Sequence, residues 1–247
     1  MITISSSYNV NNKQISFKSR QNPVEGFKIT SSALGDINVS EIKCGDVDFA
    51  LVKRLSNFFT EIFSKCTFYN YEAIIKIRSG TPAERLKYQK EFDEYYANIF
   101  NNENNQNNLT LLVGTDKKNN ILAACLAYGY HYIPKGKETT LYVDSLAINP
   151  KLRGLNLART MLDRIFSANK NSFNDVFLAS TSMATKFYEK LGFTEMTREN
   201  PSQAVVLNKL NGVMDDMDYL TPYSKPLQNA KPRWYNVCAD AIKNSET

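Results

Sequence analysis

A short loop between two predicted elements has the residue types and spacing to bind an anion. It reads Arg153-Gly154-Leu155-Asn156-Leu157-Ala158, and Asn149-Pro150 precedes it. The proline ends the strand before the loop, because it cannot donate to a strand ladder and disfavours helical geometry in the residue before it. Gly154 can take a positive φ, and Asn156 is one of the few other residue types that tolerate the left-handed region.

The residues after the loop predict an amphipathic helix. Its apolar positions have the spacing of one buried helix face: Leu157, Met161, Leu162, Ile165 and Phe166. The amides of residues 155–159 would then lack partners within the helix, and the helix dipole favours negative charge there. Arg153 and Arg159 add positive charge where acidic residues are usual, which fits a bound phosphate. The alternative is a plain strand-turn-helix unit with solvated arginines.

Two segments together resemble a known family. The run from Leu141 to Ala158 resembles the central strand and loop of the GNAT superfamily of acyl-CoA-dependent N-acetyltransferases. The family's loop has Arg or Gln, two variable residues, Gly, one variable residue and then Gly or Ala. Arg153 and Ala158 match its ends, while Asn156 replaces the central glycine. The run from Ala184 to Phe193, which contains Tyr188 and closes on Leu-Gly-Phe, is similar to the family's second hallmark.

The resemblance implies acetyl-CoA as cosubstrate and an amine acceptor of a protein, peptide or small molecule. The pantetheine arm would lie along the backbone of Leu146, Ala147 and Ile148. The pyrophosphate would lie on the amides of the loop. Thr181, which ends the next strand, would touch the cosubstrate, and no metal is implied. The residues expected at the loop are Arg153, Gly154, Leu155, Asn156, Leu157, Ala158 and Arg159.

Two residues are candidates for the proton transfers. Tyr188 maps to the family tyrosine that protonates the leaving thiolate, and its alternative is a core aromatic on a helical stripe. Asp144 is the one carboxylate inside the central strand, and alternation would put it on the face of Tyr142 and Leu146. Because a half-buried carboxylate is costly unless paired or used, Asp144 is a candidate base. Its alternative is a salt bridge or hydrogen bond to a neighbouring strand.

Other polar and aromatic residues give weaker signals. His131, the single histidine, lies near the end of a predicted strand and is a minor candidate for a base. The resemblance implies that the first two helices and the loops around them determine acceptor specificity. The aromatic residues of that region could line a pocket or belong to the core: Tyr69, Tyr71, Tyr88, Tyr95 and Tyr96.

Composition narrows the class of protein. Hydrophobic residues make up 43% of the 247 residues, which is normal for a globular chain, and no apolar run reaches the length of a membrane span. The four cysteines are widely spaced, so we expect neither a disulfide framework nor a zinc site, and a reduced, cytoplasmic setting. The net charge of +5 suits an anionic ligand and is too small and dispersed to indicate nucleic-acid binding. No oligomeric state is indicated.

The predicted order is strand, two helices, three strands, helix, strand, helix, strand. This order predicts one α/β (α+β) domain over residues 37–210, with a mixed, mostly antiparallel sheet flanked by helices. The first strand is expected at Ile37 to Cys44 and the last at Ala204 to Leu207. Residues 1–36 read as a flexible extension and 211–247 as a tail with a short helix. Two functions stay open: an active N-acetyltransferase, or a CoA-binding or interaction module on the same fold.

Overall fold

One mixed sheet organises the protein. The computed structural model describes residues 23–65, 72–102, 109–131, 139–173, 175–196 and 221–226. Within these ranges the sheet has eight strands: β1 Phe27–Ser31, β2 Gly35–Ile42, β3 Thr110–Thr115, β4 Ile121–His131, β5 Thr139–Ile148, β6 Asp175–Ser180, β7 Thr194–Glu195 and β8 Thr221–Pro226. The helices there are α1 Phe49–Ser64, α2 Glu72–Ser79, α3 Pro82–Asn101, α4 Leu157–Asn169 and α5 Thr185–Lys190.

The strand order is β1-β2-β3-β4-β5-β6-β8-β7. Strands β1 to β5 pair antiparallel in sequence order, β5 and β6 pair parallel, and β8 pairs antiparallel with both β6 and β7. The predicted fold class, a mostly antiparallel mixed sheet flanked by helices, is therefore confirmed.

The two faces of the sheet bury separate apolar cores. On one face, α1 and α3 pack Phe59 and Tyr96 against Leu126 of β4. On the other face, α4 packs Met161 and Ile165 against the sheet, and α5 adds Tyr188. Because successive side chains of a strand point to opposite faces, each central strand contributes to both cores.

Two helix starts follow local capping rules. Asp48 caps α1 by accepting a hydrogen bond from the Leu51 amide at 2.7 Å. Thr81 and Glu84 form a capping box at the start of α3, where Pro82 occupies the first turn. The capping box fixes where α3 begins. Two tyrosines of α3 contact the central strand, as described below.

The ends of the sheet differ from the sequence prediction. β1 precedes residue 37, inside the segment expected to be an extension, and β8 follows residue 210, inside the expected tail. β8 lies between β6 and β7 and pairs with β6 from Asp175↔Pro226 to Ser180↔Thr221. The strand expected at 204–207 lies outside the described residues. No helix in the described ranges has the length and apolar character to cross a membrane.

Candidate active site

The central strands β5 and β6 pair along only part of their length. Their parallel register runs from Leu141↔Val176 to Val143↔Leu178, whereas β5 continues to Ile148. In the part of the chain that the structure describes, the edge of β5 past Val143 has no strand partner on the β6 side. The backbone of Leu146, Ala147 and Ile148 lies on this edge, where an extended ligand could pair as an added strand would.

A β-bulge lies in β5 at the point where the two strands part. Leu126 pairs with Ser145 and Ala127 pairs with Val143, so Asp144 is the extra residue. A bulge disrupts the ladder and redirects side chains. As a result, the Asp144 and Ser145 side chains both contact tyrosines of α3, although they are adjacent in sequence.

The bulge corrects one detail of the sequence analysis. Simple alternation placed Tyr142, Asp144 and Leu146 on one face. Tyr142 does belong to the core beneath α1 and α3, but Leu146 packs against the opposite core, beneath α4 and α5. The additional residue shifts the alternation by one position, so Leu146 changes face.

Three hydroxyl groups surround the half-buried Asp144 carboxylate. Tyr95 donates to Oδ1 at 2.5 Å, Tyr128 donates to Oδ1 at 3.2 Å, and Ser145 donates to Oδ2 at 2.7 Å. Burial raises the pKa of Asp144, and the three hydrogen bonds offset part of that rise. The Tyr128 contact is the bond to a neighbouring strand that the sequence analysis gave as an alternative, and it is compatible with a base that binds a proton more tightly than an exposed aspartate does.

The hydrogen bonding of this carboxylate extends through Ser145 to a second tyrosine of α3. The buried Tyr96 hydroxyl lies 2.9 Å from Ser145 Oγ. Since a serine hydroxyl has one proton, and Ser145 donates it to Asp144, Tyr96 donates to Ser145. The two adjacent tyrosines of α3 therefore contact the bulge in different ways, Tyr95 directly and Tyr96 through Ser145.

The loop after β5 has the backbone conformation expected of an anion-binding turn. Gly154 has φ of 85°, and Asn156, which caps α4, has φ of 56° in the left-handed region. The prediction that Asn156 tolerates this conformation in place of glycine is confirmed. The amides of residues 156–159 donate to no acceptor within the described ranges. They are therefore available to an anionic ligand.

Both arginines of the loop are exposed. Arg153 forms no ion pair with any residue in the described ranges, and Arg159 lies 3.6 Å from Asp163 one turn later on α4. The first turn of α4 contains no acidic residue. The loop thus presents free amides and positive charge on one side.

Tyr188 is buried on α5 and packs edge-on against Phe187 and Phe193. Its hydroxyl has no hydrogen-bond partner among the described residues, which is unusual for a tyrosine with 7% of its side chain exposed. Burial, and secondarily the nearby Cys125, raise the pKa of Tyr188. The residue is thus a core aromatic by packing, as one interpretation expected, yet its hydroxyl proton is bonded to none of the described residues.

The turn after α5 explains the Leu-Gly-Phe sequence. Gly192 adopts φ of 83°, its amide donates to Glu189, and the Phe193 amide donates back to Tyr188. Such a left-handed residue after a helix favours glycine. The turn brings Phe193 against Tyr188 and so fixes the tyrosine ring.

Cys125 of β4 packs in the same core as Tyr188. Its thiol is fully buried, and burial, with the Asp144 charge as the second cause, raises its pKa. Tyr188 also interacts electrostatically with Cys125. Asp144 contacts α3 on one face of the sheet, and Tyr188 packs in the core of the other face.

The remaining predicted residues have different outcomes. Thr181 follows β6 directly and is half-buried, with its carbonyl accepting from the Ala184 amide. Tyr88 of α3 is half-buried, and the Lys87 Nζ atom lies over its ring, 4.9 Å from the centroid. The His131 side chain, Tyr69 and Tyr71 lie outside what the structure describes. Among the described residues, no group of three or more metal-ligating side chains comes together.

Sequence reasoning missed the partners of Asp144. Ser145 was not expected at the site, a bond to the neighbouring strand was expected without naming Tyr128, and Tyr95 was expected only as one of several aromatics in the acceptor region. No local pattern marks these residues, since the contacts depend on the position of the bulge and on how α3 crosses the sheet.

Comparisons with known proteins identify the family. The family model described as an acetyltransferase (GNAT) domain matches residues 69–207, which is more than half of the chain. Among curated proteins, none matches this sequence.

Similar solved structures are distant in sequence. A GNAT-family acetyltransferase from Staphylococcus aureus Mu50 shares 14% identity over 77% of this chain and 99% of that chain, with a TM-score of 0.48. GCN5 from Tetrahymena shares 14% identity over 74% of this chain and 90% of that one, with a TM-score of 0.44. An aminoglycoside acetyltransferase from an uncultured soil metagenomic sample shares 14% identity over 63% of this chain and 85% of that one, with a TM-score of 0.39. On the strength of the family model, the chain belongs to the GNAT acetyltransferase family.

Proposed function

We propose that this protein is an N-acetyltransferase that moves an acetyl group from acetyl-CoA to a primary amine of a protein, peptide or small molecule. The observation that carries the proposal is the edge of β5 beyond Val143, which pairs with no described strand on the β6 side and leads directly to a loop whose amides donate to no described acceptor. An extended pantetheine arm and a pyrophosphate need these two features in this order.

The cosubstrate would bind mainly through backbone groups. Its pantetheine arm would pair with Leu146, Ala147 and Ile148, and its pyrophosphate would accept hydrogen bonds from the amides of residues 156–159. Arg153 and Arg159 would add charge attraction, and Thr181 would contact the cosubstrate from the end of β6. The absence of acidic residues in the first turn of α4 supports this assignment.

Proton transfers would involve one group from each face of the sheet. Asp144 would accept a proton from the acceptor ammonium, directly or through water. The free amine would then attack the thioester carbonyl carbon, and the carbon–sulfur bond would break as the tetrahedral intermediate collapses. Tyr188 would donate its proton to the departing CoA thiolate, and the second proton that the attacking nitrogen loses would restore the Tyr188 hydroxyl through solvent. Its raised pKa keeps the hydroxyl protonated at physiological pH.

The alternative is a non-catalytic module that binds CoA or a protein on the same fold. No described residue accepts a hydrogen bond from the Tyr188 hydroxyl, and this favours the enzyme, because a buried donor without an acceptor costs free energy that a binding module would have no reason to keep. A phenylalanine at this position would fill the same space.

Calorimetric titration with acetyl-CoA and with CoA tests the proposal first. We expect micromolar binding that is lost when Arg153 and Gly154 are replaced, followed by transfer to amines in a screen. No binding at millimolar ligand, with the protein shown to be folded by circular dichroism, would exclude the acetyltransferase function. Binding without transfer to any amine would favour the non-catalytic alternative.

A further inference from the structure

The two oxygens of the Asp144 carboxylate are used unequally. Oδ1 accepts hydrogen bonds from the Tyr95 and Tyr128 hydroxyls, at 2.5 Å and 3.2 Å, whereas Oδ2 accepts one from Ser145, at 2.7 Å. A carboxylate has about four lone-pair positions, two on each oxygen. Among the donors that the structure describes, Oδ1 is therefore fully used, and the remaining lone pair lies on Oδ2.

Ser145 occupies the other lone pair of Oδ2, and Tyr96 determines how the serine hydroxyl points. The Ser145 Oγ atom lies 2.9 Å from the Tyr96 hydroxyl, and both side chains are buried, with 5% and 1% of their surface exposed. A serine hydroxyl can rotate to suit its partners. Because Tyr96 donates to Ser145, the serine proton is directed at Asp144, and at this burial bulk water does not compete for it.

Packing around Tyr96 holds this chain of donors in place. The Tyr96 ring stacks on Phe59 of α1, with centroids 5.1 Å apart, and meets the Tyr95 ring edge-on at 5.2 Å. Since Tyr95 contacts Oδ1, α3 holds both carboxylate oxygens, one directly and one through Ser145. The arrangement requires the bulge, because in a regular strand the adjacent side chains of Asp144 and Ser145 would point to opposite faces.

The groups around Asp144 are neutral at neutral pH. Among the described residues, burial and the three hydroxyl donors determine its pKa, and no cation contributes. The elements α1 and β6 face the tyrosines with the apolar rings of Phe59 and Phe177. The titratable side chains are Tyr95 and Tyr96 of α3, Tyr128 and Cys125 of β4, and Tyr142 of β5. The orientation of the carboxylate therefore depends on hydrogen bonds and not on an ion pair.

We propose that Ser145 and Tyr96 are positioning residues, which hold the Asp144 carboxylate so that the remaining lone pair of Oδ2 is the one that accepts the proton. This inference rests on the proposed acetyltransferase function and specifies how its base works. In the step, an N–H bond of the acceptor ammonium breaks, its electron pair stays on nitrogen, and an Oδ2–H bond forms. Protonation of Oδ2 keeps all three hydrogen bonds, whereas protonation of Oδ1 would displace one tyrosine hydroxyl.

The first test titrates Asp144 in the protein without substrates. The carboxyl carbon resonance of Asp144 is followed against pH in protein labelled with ¹³C at aspartate, and Asp144→Asn assigns it. Ser145→Ala should raise the Asp144 pKa, because the charged form loses a donor. Ser145→Cys, which is close to serine in size and a weak donor, should resemble Ser145→Ala. Tyr96→Phe should raise the pKa less, because Ser145 keeps its proton and loses only the group that orients it.

The second test measures turnover at a pH where Asp144 is ionised in every variant. Ser145→Ala and Tyr96→Phe should each lower kcat about tenfold or more, because the proton acceptor is no longer held in place. The KM for the amine should change by less than about threefold, since neither residue binds it. A purely structural role would leave both the Asp144 pKa and kcat of the folded enzyme unchanged.

Ser56→Ala is the matched control for a lost buried hydroxyl. Ser56 of α1 is fully buried and accepts a hydrogen bond from Gln89 at 2.9 Å. This variant should lose stability and keep both the Asp144 pKa and kcat.

An Asp144 pKa or a kcat that stays at the parent value in Ser145→Ala or in Tyr96→Phe would overturn the proposal. Changes of the same size in Ser56→Ala would also overturn it, because the effect would then come from a general loss of packing. The titration requires neither acetyl-CoA nor turnover. Failure of the positioning is therefore distinct from failure of acetyl-CoA binding or transfer.

Discussion

The Tyr95 hydroxyl donates a hydrogen bond to Asp144 Oδ1 at 2.5 Å across 49 residues of sequence. Tyr95 comes from α3 and Asp144 from the bulge in β5, so the contact joins the helical layer to the point where β5 and β6 stop pairing. Because Tyr95 is 45% exposed and Asp144 is half-buried, the contact places the candidate base at the border between core and solvent. Under the proposed function, an acceptor would approach the carboxylate past Tyr95.

Replacement of the candidate acid should separate chemistry from binding. Tyr188→Phe should lower kcat by about a hundredfold or more, the scale of losing a general acid, while acetyl-CoA affinity stays unchanged. Because the hydroxyl has no described partner, its removal should leave the free energy of unfolding unchanged or raise it by up to about 1 kcal/mol. Steady-state kinetics and urea unfolding measure the two effects.

Tyr223→Phe is the matched control for that variant. Its hydroxyl donates to Glu189 Oε1 at 3.1 Å, and the residue packs in the same core as Tyr188. We expect it to lose about 0.5–1 kcal/mol of stability and to keep its turnover. Unchanged turnover in Tyr188→Phe would show that the tyrosine is only a core residue.

A side chain at Gly154 should block the cosubstrate. A Cβ at this position meets no atom within 4 Å, so Gly154→Val should not disturb packing. The positive φ adds strain of roughly 1–2 kcal/mol, and the branched side chain covers the neighbouring amides. We expect calorimetry to detect no acetyl-CoA binding by a protein that is still folded.

Gly35→Val controls for the strain in that experiment. Gly35, in the turn between β1 and β2, has φ of 73° and equally open surroundings. The two variants should lose similar stability, and the Gly35 variant should bind acetyl-CoA normally. Normal binding by the Gly154 variant would place the pyrophosphate elsewhere.

Asn156 should be replaceable by glycine. Its side chain makes no capping hydrogen bond, and its left-handed backbone is the conformation that glycine adopts without strain. Asn156→Gly should change acetyl-CoA affinity by less than about threefold and stability by less than about 1 kcal/mol. Asn156→Val, which disfavours the left-handed region, should weaken binding clearly. Similar affinities for both variants would mean that the conformation at residue 156 does not matter for the cosubstrate.

The pH dependence of stability should reveal the raised pKa of Asp144. Its burial makes the folded protein hold this proton to higher pH than the unfolded chain does. As the pH rises from the ordinary aspartate range through the raised pKa, the folded state therefore binds more protons than the unfolded state and loses stability. Asp144→Asn removes this loss, so it should be more stable than the parent at pH 7.

That gain should shrink to nothing as the pH falls below the ordinary aspartate range, where the parent is protonated in both states. Urea unfolding of both proteins at matched ionic strength between acidic and neutral pH measures the difference. A variant that is equally destabilised at every pH would indicate that Asp144 acts structurally, through its hydrogen bonds to Tyr95 and Tyr128.

Much of the site could be predicted from sequence because its information is local. Positive φ at Gly154 and Asn156 follows from residue type, and the apolar spacing from Leu157 onward fixes where α4 begins. Glycine at 192 marks the end of α5 for the same reason. The hydrophobic pattern likewise predicted the three successive strands before the loop and the buried strand after its helix.

The ends of the sheet were harder to predict. β8 begins at Thr221 and contains two prolines, which argue against a strand inside a sheet. It nevertheless pairs with β6 and β7, because the tertiary fold leaves the edge of β6 opposite β5 open to a further strand. Lys225 secures it by donating to the Leu191 carbonyl at 2.7 Å, beside the helix that carries Tyr188.

The sequence by itself determined the family, the strand-loop-helix unit and the position of Tyr188, because each depends on residue types at fixed short spacing. The tertiary structure alone decided what surrounds Asp144. One extra residue in β5 turned Asp144 and Ser145 toward α3 and moved Leu146 to the opposite core. A bulge depends on how two strands align over their whole length, and the contact with Tyr95 depends on where a helix crosses them. Neither leaves a periodic signal in the chain.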